Sequence, residues 1–223
     1  MPRPLIIAID GPSGSGKTTL GRLLARALNL LYVDTGSMYR AVAVAAIEEG
    51  VDLQNGDQLS TLAANLEIDL EGDPDSLRVI LGGRDITELI RTERVTEVSS
   101  IVSTVPGVRR AMVERQRAIA RNGGVLNGRD IGTVVFPEAD VKFFLTAVPE
   151  ERAKRRFEEQ SETDPGVDYA EVFADMTERD RRDSTRADSP LKIAPDAMVV
   201  DSTGKSIEEV FIQMMEDIQR KRG

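Results

Sequence analysis

An α/β fold is predicted for this chain: a parallel sheet flanked by helices, with one antiparallel lobe set into it. Three observations carry that expectation. Short apolar runs alternate with stretches of helical periodicity along most of the sequence. Residues 11–18 form a glycine-rich junction between the first apolar run and the first helical stretch. Residues 66–81 show strand alternation on both sides of a polar turn, inside an otherwise βα-like pattern. At 223 residues the chain holds enough surface to bury one sizeable core, so it reads as a single domain over 1–223 with appended lobes.

The elements follow in order. Residues 5–9 (Leu-Ile-Ile-Ala-Ile) are apolar throughout, as a strand buried on both faces must be. Leu20, Leu23, Leu24, Ala27 and Leu28 then recur at helical spacing. Residues 30–33 give a second strand that ends at Asp34-Thr35-Gly36-Ser37. A helix is expected from Met38 through Ile47, with Gly50 suited to close it. A short helix with a polar start falls within 51–64. Leu66, Ile68 and Leu70 alternate, residues 72–75 (Gly-Asp-Pro-Asp) turn, and Leu77, Val79 and Leu81 alternate again, with a short third strand after Gly82-Gly83. A helix over 106–121 returns toward the core. Val125-Leu126, residues 141–145 and residues 198–200 complete five core strands, and residues 206–220 form a closing amphipathic helix with Ser206 as its cap. Residues 158–169 are polar, break helical periodicity, and read as a mobile surface segment.

The glycine-rich junction carries the most specific chemistry. Gly11-Pro12-Ser13-Gly14-Ser15-Gly16-Lys17-Thr18 is a full match to G-x-x-x-x-G-K-[ST], placed between strand and helix where that motif belongs. Such a loop points backbone N–H groups and a helix N-terminus at one place, the requirement for cradling triphosphate oxygens. Lys17 adds a mobile cation for the β and γ phosphates, and Thr18 offers a hydroxyl to Mg²⁺. An ordinary strand-to-helix turn is the bland alternative, and the flanking pattern argues against it.

Composition narrows the chemistry further. Cysteine and histidine are both absent, so disulfides, thiol catalysis, imidazole proton shuttling and Cys- or His-ligated metal are excluded. A cysteine-free chain suits a reducing compartment. No apolar run approaches the ~20 residues needed to span a bilayer, and no signal-peptide pattern opens the sequence, so a cytoplasmic protein away from membranes is expected. The formal net charge of −9 argues against nucleic-acid polymers and anionic surfaces as partners. Yet arginines cluster locally, which suggests small anions held in a pocket.

Three arginine-bearing groups stand out. Asp34 through Arg40 lies just past the second strand, where ligands sit in doubly wound sheets. Asp34 suits a water of a Mg²⁺ shell and Arg40 a second phosphate; alternatively Arg40 is a solvated helix residue. Gly128-Arg129-Asp130-Ile131-Gly132 follows the 125–126 strand, with a mutual Arg129–Asp130 surface pair as the alternative. In residues 178–186, positions 179, 182, 183 and 186 share one helical face, and Arg152, Arg155 and Arg156 make a similar stripe. Solvated helices laced by i,i+4 pairs are the competing reading, and composition alone favours it.

Taken together, these segments closely resemble the bacterial cytidylate kinases. The resemblance rests on residues 9–19, on Asp34-Thr35-Gly36-Ser37-Met38-Tyr39-Arg40, on Gly128 through Pro137 (Gly-Arg-Asp-Ile-Gly-Thr-Val-Val-Phe-Pro), and on residues 178–186, in order along nearly the whole chain. It implies a P-loop NTPase core with a five-stranded parallel sheet, an inserted monophosphate-binding lobe at about 38–100, and a lid at about 152–186. It implies phosphoryl transfer from ATP, carried with Mg²⁺, to CMP or dCMP, by a monomer. Residue by residue, it implies ATP contacts from Gly11, Pro12, Ser13, Gly14, Ser15, Gly16, Lys17, Thr18 and Thr19. Ser100, Arg109 and Asp130 are implied at the cytosine ring. Thr35, Arg40, Arg129, Arg179 and Arg186 are implied around the CMP phosphate and ribose, with Asp183 on a ribose hydroxyl. Lys17, Arg40, Arg129 and Arg179 are then the catalytic cations. One departure is Asn127, where many relatives carry Asp; an amide brings no charge to a Mg²⁺ shell, which leaves Asp34 as the better candidate.

Two rivals stay open on sequence alone. A kinase of the same architecture acting on UMP or a small metabolite would share the glycine loop. A GTP-hydrolysing switch would too, but it commonly reads guanine with an Asn-Lys-x-Asp segment, which this chain lacks.

Overall fold

β1 (Ile6–Asp10) lies at the centre of a five-stranded parallel sheet in the computed structural model, which describes residues 4–162 and 164–222. β2 (Tyr32–Asp34), β6 (Gly124–Gly128), β7 (Val141–Thr146) and β8 (Met198–Asp201) complete it, in the order β2-β6-β1-β7-β8. Every pairing is parallel, with Ile9 opposite Asn127 on one side and Phe143 on the other. Alternate residues of β1 face opposite sides of the sheet. Ile6 and Ala8 join a core shared with the helices after β2, whereas Ile7 and Ile9 join a second core with α1 (Lys17–Leu28) and α8 (Ile207–Arg222). This double burial is why residues 5–9 show no polar alternation.

The long connection from β2 to β6 holds the inserted elements. These are α2 (Thr35–Glu48), α3 (Gly56–Asn65), an antiparallel sheet of β3 (Ile68–Glu71), β4 (Arg78–Leu81) and β5 (Arg84–Asp85), then α4 (Glu93–Val102) and α5 (Pro106–Ile119). The hairpin matches expectation: Ile68 pairs with Leu81 and Leu70 with Val79. α2 starts three residues before its expected position because the Asp34 carboxylate accepts from Gly36 N–H and caps it. α4 was not read from the sequence. Its buried Val95, Val98, Ser99 and Val102 do follow helical spacing, but three β-branched residues and a serine hide an apolar stripe.

After β7, α6 (Pro149–Ser161) and α7 (Tyr169–Thr185) form an antiparallel helix pair. The expected break at 158 is thus corrected: the helix continues to Ser161. Exposed pairs, Lys154–Glu158 and Arg156–Glu159, support that last turn without any apolar stripe. Asp168 caps α7 through the N–H groups of Ala170 and Glu171, and Phe157 meets Tyr169 edge to face across the connection. Thr163, within the segment expected to be mobile, lies outside the described residues. No helix among the described residues is long and apolar enough to cross a membrane.

Candidate active site

The glycine loop leaves β1 at the point where the sheet order reverses, so it opens onto the crevice beyond the strand ends. Gly14 and Gly16 both have positive φ, 70° and 92°, which fold the loop back over the start of α1. At Gly14 a Cβ would also lie 2.6 Å from the Arg152 carbonyl oxygen, so α6 packs directly on the loop. Lys17 is 7% exposed, and its Nζ donates to Pro12 O at 2.6 Å and Ser15 Oγ at 3.3 Å. Burial, with Arg129 and Arg179 nearby, holds the Lys17 pKa well below the ordinary lysine range. Pro12 and Ser15 are buried in the loop, whereas Thr18 and Thr19 are exposed at the start of α1.

A wall of cations faces Lys17. Arg179 on α7 makes no salt bridge within reach among the described residues, and burial with Arg129, Arg40 and Arg156 beside it brings its pKa down to about 10. Arg40 on α2 has a buried Nε with no hydrogen-bond partner. Arg129 differs, since its Nε donates to Asp183 Oδ2 at 2.8 Å. Burial favours a neutral Asp183, yet Arg129 and Arg179 prevail and hold its pKa below the usual carboxylate value. Lys17, Arg40, Arg129 and Arg179 therefore crowd together with only Asp183 and Asp10 to offset them, an arrangement that a multiply charged anion relieves. Thr35 sits below this wall, its hydroxyl donating to Asn127 O at 2.8 Å.

At the far end the charges are balanced. Arg109 is 2% exposed, yet its guanidinium donates to Asp130 Oδ2 at 2.5 Å and to Ser103 O at 3.2 Å. The same group lies over the Tyr39 ring, 5.4 Å from its centroid. Burial opposes its charge, but Tyr39 and Asp130 outweigh that and raise its pKa. Arg186 Nη2 lies 3.7 Å from Asp130 Oδ1, and its Nη1 lies 3.4 Å from Asp183 Oδ1. Ser100 is buried in the last full turn of α4, and its carbonyl accepts from Ser103 Oγ, next to the carbonyl that Arg109 touches. Arg129 and Asp130 are not partners of each other: each reaches a different helix. The surface-pair alternative does not hold for them. It does hold for Arg182, which pairs with Glu178 at the margin, and for Arg156, which pairs with Glu159.

Sequence reasoning gave no role to Asp10 or Asp180, and it placed Arg152 only on a helical stripe. Arg152 Nη1 donates to Ser13 O and to Asp180 Oδ2, while Asp180 Oδ1 accepts from Ser13 N–H at 3.3 Å, so α6 and α7 grip both peptide groups of one loop residue. Asp10 accepts from the N–H groups of Ile131 and Gly132. Its signal was a carboxylate closing an apolar strand one residue before the motif. Asn127 lies beside the loop threonine: its Nδ2 meets Thr18 Oγ1 at 3.3 Å, and its buried Oδ1 has no hydrogen-bond partner among the described residues.

No cluster of three or more acidic side chains able to hold a metal exists among the described residues. Residues here fit Mg²⁺ that arrives with a triphosphate: an exposed Thr18 hydroxyl, the orphaned Asn127 Oδ1, and Asp34 directly across the sheet from Asn127. One Asp34 oxygen is occupied by the α2 cap.

Sheet order, glycine loop and opposed cation wall define a P-loop kinase of a small phosphorylated acceptor. The family model for cytidylate kinase matches residues 7–220, and the chain belongs to that family. The cytidylate kinase of Pelotomaculum thermopropionicum is 53% identical over 209 residues, covering 92% of this chain and 91% of its own length. That of Bacillus subtilis is 42% identical over 222 residues, covering 99% of each. A solved structure, an uncharacterized protein from Eubacterium ventriosum, aligns with a TM-score of 0.55 at 13% identity, over 96% of this chain and 98% of that one, a likeness of fold.

Proposed function

We propose that this chain transfers the γ-phosphoryl group of ATP to the 5′-phosphate of CMP or dCMP, giving ADP and CDP or dCDP. One observation carries the reading: the buried Arg109–Asp130 pair closes one end of a cation wall whose other end is Lys17 and the glycine loop. Loop N–H groups and Lys17 hold the donor phosphates. Arg40, Arg129 and Arg179 hold the acceptor phosphate and the charge that develops on the transferred group. An acceptor oxygen attacks the γ-phosphorus as the bond to the β–γ bridging oxygen breaks. That oxygen is already anionic, so no general base is needed, in a chain without histidine. Mg²⁺ carried with ATP would supply charge neutralisation at the donor phosphates. Thr18, and through water Asn127 and Asp34, would hold it.

Base choice follows from hydrogen-bond polarity. Cytosine presents an exocyclic amine beside N3 and O2 acceptors, matching a carboxylate beside a guanidinium. Uracil puts a carbonyl against Asp130, leaving a buried charge opposite an acceptor. Residues of about 38–100 then form the acceptor lobe, and those of about 152–186 a lid that excludes water. The test is coupled ADP release with CMP, dCMP, UMP, AMP and shikimate as acceptors. Preference for CMP and dCMP is expected; faster turnover with UMP or shikimate overturns the assignment.

A further inference from the structure

Asp10 ends β1 one residue before the glycine loop, and it is only 4% exposed. Its Oδ1 accepts from Ile131 N–H at 2.8 Å and its Oδ2 from Gly132 N–H at 2.7 Å. Those N–H groups open the tight turn over 131–135, whose last carbonyls, at Val134 and Val135, accept from the Arg117 guanidinium. The turn is therefore fixed at both ends by side chains from outside it, and Arg129 and Asp130 are the two residues just ahead of it. Gly132 suits this approach: a Cβ there would stand 3.3 Å from Asp10 Oδ2 and 3.1 Å from Lys142 Cδ, so those side chains would have to give by a few tenths of an ångström. Buried N–H groups left without an acceptor would be costly, so the carboxylate sets where the turn sits relative to β1.

We propose that Asp10 is a positioning residue that locks the acceptor-reading pair, Arg129 and Asp130, in register with the donor loop. Asp10 touches neither nucleotide in this account, which rests on the CMP reading above. One carboxylate, joined by a single peptide bond to the loop and by two hydrogen bonds to the acceptor turn, couples the two halves of the site. Its ionised state is what accepts both bonds. Burial pushes its pKa up to about 6, against the opposing pull of the two N–H groups, with Asp130 on the turn raising it and Lys17 on α1 lowering it. Lys142 lays its stem alongside from β7, its Nζ turned away to Pro137 O and Asp196. Acidification through pH 6 thus adds a proton where an acceptor is needed. Since the folded pKa lies above the unfolded value near 3.9, the same protonation favours the folded chain. Acceptor affinity and stability are expected to move in opposite directions through this group.

The experiment is calorimetric titration of the full-length chain, wild type and Asp10→Asn, with CMP, UMP and a non-hydrolysable ATP analogue. Asn retains one acceptor and turns an NH₂ against the second N–H. CMP binding is expected to weaken by about 10- to 100-fold, from the loss of a charge-assisted bond. The CMP-over-UMP ratio should fall, and the affinity for the ATP analogue should stay within about twofold. The drop in CMP affinity between pH 7.5 and 5.5 should be steeper for wild type than for Asp10→Asn, because protonation of the CMP phosphate near pH 6 is common to both. Gly132→Ala, which crowds the carboxylate without removing charge, should reproduce the CMP defect if Asp10→Asn folds poorly. Equal weakening of both nucleotides, or unaltered CMP affinity and pH profile, overturns the proposal. Wild-type protein that binds no pyrimidine monophosphate would instead sink the substrate reading and leave the role of Asp10 to be measured with whichever acceptor does bind.

Discussion

In the proposed reading, residues 11–18 supply the donor side as one unbroken segment, whereas α2, α4, α5, the residues after β6, and α7 each contribute to the acceptor side. The two halves also differ in how they hold charge. The donor loop relies on backbone N–H groups and one buried lysine. On the acceptor side, guanidiniums are sorted: among the described residues Arg40 and Arg179 make no salt bridge, although Asp183 lies near enough to Arg179 to favour its charge, while Arg109, Arg129 and Arg186 are tied to Asp130 and Asp183. Arg40 and Arg179, without a salt bridge, suit a phosphate; Arg109 and Arg186, tied to carboxylates, suit a neutral base and sugar. Arg129, tied to Asp183 yet beside Lys17, stands between the two groups. The difference teaches that charge pairing, read residue by residue, gives the proposed site two electrostatically distinct ends.

The largest break in that comparison is expected at Lys17. Lys17→Ala should lower turnover by about 10²–10³ in a coupled ADP-release assay while CMP affinity by calorimetry is retained. Near-normal turnover would remove Lys17 from the reaction.

Arg179 and Asp183 sharpen the contrast between paired and unpaired charge. Arg179→Ala should weaken CMP by about 10- to 100-fold yet leave Tm level or higher. The sign follows from its lowered pKa, about 10: the folded state disfavours its charge, so removing it relieves the fold at neutral pH. Asp183→Ala should do the opposite to Tm, costing about 3–5 kcal/mol, because Arg129 and Arg186 lose their anion. Chemical denaturation of both variants checks this, and equal destabilisation would contradict the sorting.

How much of this was legible beforehand tracks the same divide. The glycine loop and its place between β1 and α1 were readable because the motif lies in consecutive residues whose spacing is itself the signal. Five core strands and the hairpin were readable from apolar runs and alternation. Pairing on the acceptor side was not: the adjacent Arg129 and Asp130 look like a pair in sequence but turn to different helices. α4 escaped notice because β-branched residues dominate its buried stripe, and the end of α6 because ion pairs, not apolar spacing, sustain it. Asn127 shows the limit of reading a residue by its charge, since what places it near Thr18 is strand register.

A smaller effect is expected at the base. Asp130→Asn should cut the preference for CMP over UMP by about tenfold, measured as a ratio of kcat/KM values. An unchanged ratio would move base reading elsewhere. The smallest concerns the helix pair that grips the loop. Asp180→Asn weakens the hold on Ser13 N–H and Arg152, and a change of about two- to fourfold in KM for ATP, with KM for CMP steady, is expected.

The central claim is that two nucleotides meet end to end between the glycine loop and the guanidinium wall. A crystal structure with a non-hydrolysable ATP analogue and CMP tests it most directly. The account predicts Arg40, Arg129 and Arg179 within hydrogen-bond distance of the CMP phosphate, and Asp130 on the cytosine amine. Those three guanidiniums pointing into bulk water, with CMP seated elsewhere, would contradict it.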